Sequence, residues 1–130
     1  MIEDAVKARL RADSELKKIT STRIDTDEVN NHNDKYVMIS VVDDEDEFDS
    51  SNKKGQSSAR IQIDCYAKNK TIVRDMRKAI DASLQQQSFS INNLHIQVCM
   101  RESRVPTSEK KGASVLYREA LDYNIKYNEV

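Results

Sequence analysis

Two changes of hydrophobic period in the second half of the chain restrict the fold more than any other feature. The segment SSARIQIDCYA (57–67) alternates strictly, with Ile61, Ile63, Cys65 and Ala67 on one side and Arg60, Gln62, Asp64 and Tyr66 on the other. A period of two is that of a strand with one buried face. At residue 69 the period lengthens. Ile72, Met76, Ala79, Ile80 and Leu84 recur at helical spacing through NKTIVRDMRKAIDASLQQQ (69–87), which predicts an amphipathic helix. Asn69 or Thr71 is placed to cap it, since a short side-chain oxygen accepts from the first free N–H groups. LHIQVCMRE (94–102) then alternates again, with Leu94, Ile96, Val98 and Met100 expected inward and His95, Gln97, Cys99 and Arg101 outward.

The remaining segments extend this pattern. Ile2, Val6 and Leu10 fall at i, i+4 and i+8, one stripe of a first helix that breaks, or continues into a short further turn, near 13–14. TSTRI (20–24) has the makings of a short strand, NNHND (30–34) is turn chemistry, and YVMISVV (36–42) reads as a largely buried strand. In the final strand, VLYREALDYNIKYN, one face carries Val115, Tyr117, Leu121, Tyr123, Ile125 and Tyr127. Glu119 interrupts that face and suggests a strand partly at an edge. Two helices cannot cover both faces of such a sheet. The expected fold is therefore one α+β domain over 1–130, with an antiparallel or mixed sheet of four to five strands and two helices on one face.

Two polar interruptions stand out. DDEDEFDSSNKKGQSS (43–58) places six carboxylates in seven positions between two core segments, and SRVPTSEKKGAS (103–114) contains the single proline. Both are expected to be polar loops, the first of them mobile, because clustered like charges repel and stay solvated. The first also exceeds the usual loop length of compact domains. By contrast, 70–78 carries four bases against Asp75 alone.

Catalytic and metal chemistry finds little support. The acidic run lacks the glycine at the sixth position and the glutamate at the twelfth that shape a calcium-binding loop. His32, His95, Cys65 and Cys99 show no zinc-ligand spacing, and the two cysteines are expected to be free thiols. Glu109-Lys110-Lys111, with Asp64 upstream, matches the letters of a metal-nuclease motif, but lies in a glycine-bearing loop that would not hold a metal rigidly. With Gly55 and Gly112 the only glycines, a backbone cradle for phosphate is disfavoured. Asn69-Lys70-Thr71 is a formal glycosylation sequon better read as a helix start. No cofactor is implied. A small metal-dependent enzyme using the acidic cluster, and a soluble adaptor domain, stay open as alternatives.

At 130 residues the chain can bury an independent core, but with 38% apolar, 5% aromatic and 33% charged residues that core must be lean. A net charge of −1 gives no global pull toward nucleic acid or anionic membrane. There is no apolar run of membrane-spanning length, and MIEDAVKARLRAD lacks the apolar core of a signal peptide, so a cytoplasmic location where the chain is made is expected.

The order of these elements resembles the tail terminator family of long-tailed phages, also called tail completion or tail-to-head joining proteins. The resemblance runs over nearly the whole chain. It rests on the opening helix AVKARLRAD followed by KKITSTRI, YVMISVV with its acidic loop, ARIQIDCYAKN, TIVRDMRKAIDASL and the terminal LYREALDYNIKY. It implies a non-enzymatic virion protein that forms a ring, generally of six subunits, at the head-proximal end of the finished tail tube. Such a ring ends tube polymerisation and provides the surface for the head; a sister ring protein of the phage neck is the nearest alternative. The implied partners are further copies of the chain, the tail tube protein and the head–tail connector, with DNA passing through the ring without sequence-specific binding and no membrane contact. On this reading Asp43, Asp44, Glu45, Asp46, Glu47, Phe48, Asp49, Lys53 and Lys54 are expected to face the lumen or tube tip, or to pair with the basic helix of a neighbour. Arg74, Arg77, Lys78 and Glu119 are the candidates for subunit contacts.

Overall fold

In a computed structural model, residues 2–21, 23–26, 35–48, 54–111 and 114–129 are described. Helices α1 (Ile2–Arg11) and α2 (Ser14–Thr20) open the chain, followed by strands β1 (Ile24–Thr26), β2 (Lys35–Phe48) and β3 (Lys54–Ala67). Helix α3 (Lys70–Leu84) leads to β4 (Phe89–Ile91), β5 (Leu94–Lys111) and β6 (Ser114–Glu129). The strands form one sheet in the order β1-β2-β3-β6-β5-β4. Only the β1–β2 pair is parallel. The α+β class is as expected, but the sheet has six strands rather than four to five, and three helices pack on it rather than two.

One apolar cluster explains the arrangement. Val73, Met76, Ile80 and Leu84 of α3 bury against β3 and β6, whose Ile61, Ile63, Cys65, Leu121, Tyr123 and Ile125 belong to the same cluster. Ile2, Ala5, Val6 and Leu10 of α1 pack over β1, β2 and β4, and Leu16 of α2 over β2. The helices therefore share one face of the sheet, and the periodic segments 57–67 and 69–87 each contribute five residues to the cluster. α3 starts at Asn69, whose Oδ1 accepts from the Thr71 N–H at 2.7 Å and the Ile72 N–H at 3.4 Å. A cap of this kind is worth about 1 kcal/mol.

The other face is polar yet tightly paired. Asp64 is only 1% exposed because Arg118 covers it, donating from Nε at 3.0 Å and Nη2 at 2.7 Å to Oδ1. Gln62 Nε2 donates to both Asp64 oxygens at 3.1 Å. Ser103 bonds Asp122 and Asn124 bonds Glu102 on the same side, so cross-strand polar pairs take the place of a second apolar layer.

The two segments read as loops are mostly strand. β2 continues through Phe48 and β3 resumes at Lys54, so 43–48 and 54–58 belong to a hairpin; Asp49 and Lys53 lie outside the described residues. Likewise β5 runs through Lys111 and β6 begins at Ser114. Ladder hydrogen bonds are made by the backbone, so charged side chains on a solvated stretch do not prevent pairing. The short strand expected at 20–24 begins only at Ile24, because Thr20 closes α2.

Bulges reset which side chains face the core. In β5 the register steps between Ile96 and Val98 and again between Arg101 and Ser103. An extra residue flips the following side chains to the opposite face. Cys99, expected outward, is therefore buried, and Met100, expected inward, is 40% exposed. A similar step between Val41 and Asp43 ends the buried part of β2, leaving Val41 and Val42 exposed.

Candidate assembly interface

The long hairpins turn at opposite ends of the sheet. β3 runs antiparallel to β6 from Ser57 opposite Tyr127 to Ala67 opposite Tyr117. The β2–β3 turn thus lies beside the end of β6, and the β5–β6 turn beyond its start. Strands of 14 to 18 residues are far longer than the usual five or six.

The outer edges of both hairpins are largely uncovered. β1 pairs with β2 only at Val37, Met38 and Ile39, and β4 pairs with β5 only at Leu94, His95 and Ile96. The residues after α3 extend that cover a little: the Gln86 N–H donates to the Cys99 carbonyl at 2.8 Å, and Gln85 Oε1 accepts from the Arg101 N–H at 2.6 Å. Beyond these points no described residue pairs with the rim of β2 after Ile39 or of β5 after Arg101. Val42 on one rim and Val105 on the other are each more than half exposed. Pro106 lacks an N–H and so blunts one rung of the β5 rim.

The acidic run lies along the open β2 rim. Asp43 stands opposite Arg60, Asp44 opposite Ala59, Glu45 opposite Ser58, Asp46 opposite Ser57 and Phe48 opposite Lys54, with Glu47 at a register step. Asp43 and Asp44 are exposed. Asp44 Oδ1 accepts from the Tyr127 hydroxyl at 2.7 Å, which ties the run to β6 across β3. Among the described residues no three His, Cys, Asp or Glu side chains converge as a metal site requires.

At the other end, α3 and the β5–β6 hairpin enclose a cleft of about 440 Å³ whose lining includes Lys70, Arg74, Arg77, Arg104, Tyr117 and Glu119. Lys70, Arg74 and Arg77 are spaced i, i+4 and i+7 and share one helix face. Arg104 joins them because the second β5 bulge puts it opposite Leu121, a core-facing position of β6. Glu119, 8% exposed, sits between two guanidinium groups, with Oε1 3.4 Å from Arg77 Nε and 3.6 Å from Arg104 Nε. It does not mark an edge, because β6 lies between β3 and β5; a carboxylate is tolerated there because the helix seam brings cations to it. The Arg77 Nε–H is buried and makes no hydrogen bond, so charge alone holds that pair.

Further along the same seam, Asp81 takes the Tyr123 hydroxyl on one oxygen and Arg101 on the other, with Arg77 Nη1 at 3.9 Å. Burial, then the hydrogen bond to Asp81, push the Tyr123 phenol far above its ordinary value. Burial likewise pushes the Cys99 thiol up to about 12. Both cysteines are buried and free, and neither is in a nucleophile's environment.

The structure therefore gathers Arg74, Arg77 and Glu119 into one cleft. Lys78 is exposed and does not line it. Lys70 was legible from its spacing with Arg74 and Tyr117 lies on the face its alternation predicts, whereas Arg104 needed the bulged register. The described sheet thus has two largely uncovered rims, with Asp43 and Asp44 on one and the basic cleft beside the other.

Comparison with known proteins identifies the group. The family model for tail completion protein gp17 matches residues 4–128, and the chain belongs to that family. It is a structural tail-completion protein of phage virions, as the resemblance of its elements implied, and not an enzyme. A chain of the virion of a native gene transfer agent particle superposes with a TM-score of 0.76 at 15% identity, covering 97% of this chain and 93% of that one. A second solved chain gives a TM-score of 0.55 at 13% identity, over 95% of this chain and 92% of that one. At these identities the likeness is one of fold. A search of curated proteins gave no match.

Proposed function

We propose that the chain forms a closed ring, of six subunits by analogy with its family, on the head-proximal end of the completed tail tube. The ring ends tube polymerisation and offers the surface on which the head docks, and DNA crosses it without sequence-specific contacts. Its partners are further copies of the chain, the tube protein and the head–tail connector. Assembly takes place in the host cytoplasm.

One observation carries this reading: the open rims of β2 and β5 lie on opposite margins of a single sheet. A subunit with two different sticky margins associates head to tail, and such contacts close into rings when the rotation per subunit divides a full turn. The acidic run belongs to the β2 rim itself, which favours contact with a neighbouring subunit over a free fringe around the channel.

Light scattering across a concentration series tests the proposal. The expected result is a mass converging on one closed oligomer, seen as rings by negative-stain microscopy. A symmetric dimer that grows no further would refute the head-to-tail arrangement.

A further inference from the structure

We infer that the cleft between α3 and the β5–β6 hairpin receives the acidic rim of β2, at Asp43 and Asp44, from a second copy of the chain. The inference rests on the ring reading and names its interface.

Charge is the first support. On the helix side the cleft presents Lys70, Arg74, Arg77 and Arg104 against Glu119 alone. The neighbouring Asp81–Arg101 pair leaves that surplus of cations unchanged. Arg118 also lines the cleft, but its guanidinium is committed to Asp64 on the opposite face of the sheet. Arg74 has no ion-pair partner among the described residues, Lys70 rests 5.6 Å above the Tyr117 ring, and Arg77 Nε–H is buried without an acceptor. The first turn of the 15-residue helix α3 contains no acidic residue, so its positive end adds to the field. Thr71 and Ser108 in the lining supply hydroxyl donors for carboxylate oxygens.

Geometry is the second. Asp44 lies opposite Ala59, whereas Glu119 lies opposite Cys65. Six residues of β3 separate these positions, roughly 20 Å of strand. The sheet is continuous between them, so a chain's own acidic rim does not reach its own cleft. Only another copy brings these two surfaces together, and the resulting contact is head to tail. The pieces also match in shape: the β2 rim is an extended edge on which Asp43 and Asp44 are exposed, and the cleft is bounded by the open β5 stretch that carries Arg104, Pro106 and Ser108.

The test uses the full chain with single cysteines introduced as Asp44→Cys and Arg74→Cys. The native Cys65 and Cys99 are buried and do not compete. A short bis-maleimide should cross-link a mixture of the two variants into dimers, but neither variant alone. Raising the salt to about 0.5 M, where the Debye length falls to a few Å, should cut the yield at least fivefold. Lys70→Glu with Arg74→Glu in one chain should weaken self-association at least tenfold, and adding Asp43→Lys with Asp44→Lys should restore it. Equal cross-linking of Asp44→Cys alone, no cross-link in the mixture, or no recovery by the combined reversals in a chain with native circular dichroism would each overturn the inference. If the Lys70→Glu/Arg74→Glu chain still forms rings, the cleft assignment fails while the ring stands. If the wild-type chain forms no closed oligomer but the cross-link is specific, the ring fails and the contact stands.

Discussion

The Asp64–Arg118 pair joins β3 to β6, the two central strands that connect the hairpins, and its removal is the most informative test of the fold. The Asp64 side chain is 2% exposed and that of Arg118 33%. Truncation by Arg118→Ala leaves a buried carboxylate with only the two hydrogen bonds from Gln62. Breaking a buried ion pair from one side costs about 3–5 kcal/mol. Because Arg118 is partly solvated and Gln62 remains, the lower end, about 3 kcal/mol, is expected. That is a large share of a total stability of about 5–15 kcal/mol, equivalent to roughly 10 °C in Tm for a chain of this size. Urea denaturation followed by far-ultraviolet circular dichroism measures it. Adding Asp64→Asn to Arg118→Ala removes the orphaned charge and should recover at least half of the loss, a coupling of about 1.5 kcal/mol or more. A loss below about 1 kcal/mol for Arg118→Ala, or strict additivity of the two substitutions, would refute the argument that burial makes this pair structural.

Three further outcomes follow from the same physics. Asn69→Ala should cost about 1 kcal/mol, read as a lower urea midpoint at unchanged slope, because it removes the acceptor for two N–H groups of α3. Asn93→Val should cost about 1–2 kcal/mol, since φ is positive at Asn93 and a β-branched residue resists that region; amide exchange should show β4 fraying first. Alkali should destabilise the fold. Tyr123 and Cys99 titrate higher folded than unfolded, so their contribution is complete below the unfolded values and declines as pH rises toward the folded ones. For Cys99 the window runs from about pH 9 to about pH 12. Cys99→Ala and Tyr123→Phe should each flatten the fall in stability above pH 9–10, and wild-type slopes in both variants would contradict it.

The parts of the fold that were legible are those where burial dictates sequence. Ile61, Ile63, Cys65 and Ala67 must alternate to face the helices, and Met76, Ile80 and Leu84 must recur every turn to meet them, so both periods survive in the residues. Asn69 was legible as a cap because few residue types supply that acceptor. What stayed hidden is held by the backbone. The stretches 43–48 and 103–111 pair through main-chain groups, and Asp43, Asp44 and the residues 104–110 face water. The first β5 bulge reverses the faces of Cys99 and Met100 without any residue whose type announces the step. β4 rests on the pair Asn92–Asn93, both at positive φ, a two-residue turn whose chemistry is visible in SINNLH once it is sought. In the candidate interface, the basic spacing of Arg74 and Arg77 was readable, but their meeting with Arg104 and Glu119 depends on sheet order and on a bulge.

Electron microscopy of tails assembled with and without this chain tests the central claim most directly. The account predicts that, with it, tails are uniform in length, end in a ring and join heads. Without it, tube growth overruns or heads fail to attach, and adding the purified chain restores both. Tails of normal length that join heads in its absence, with no ring density gained on adding it, would contradict the account.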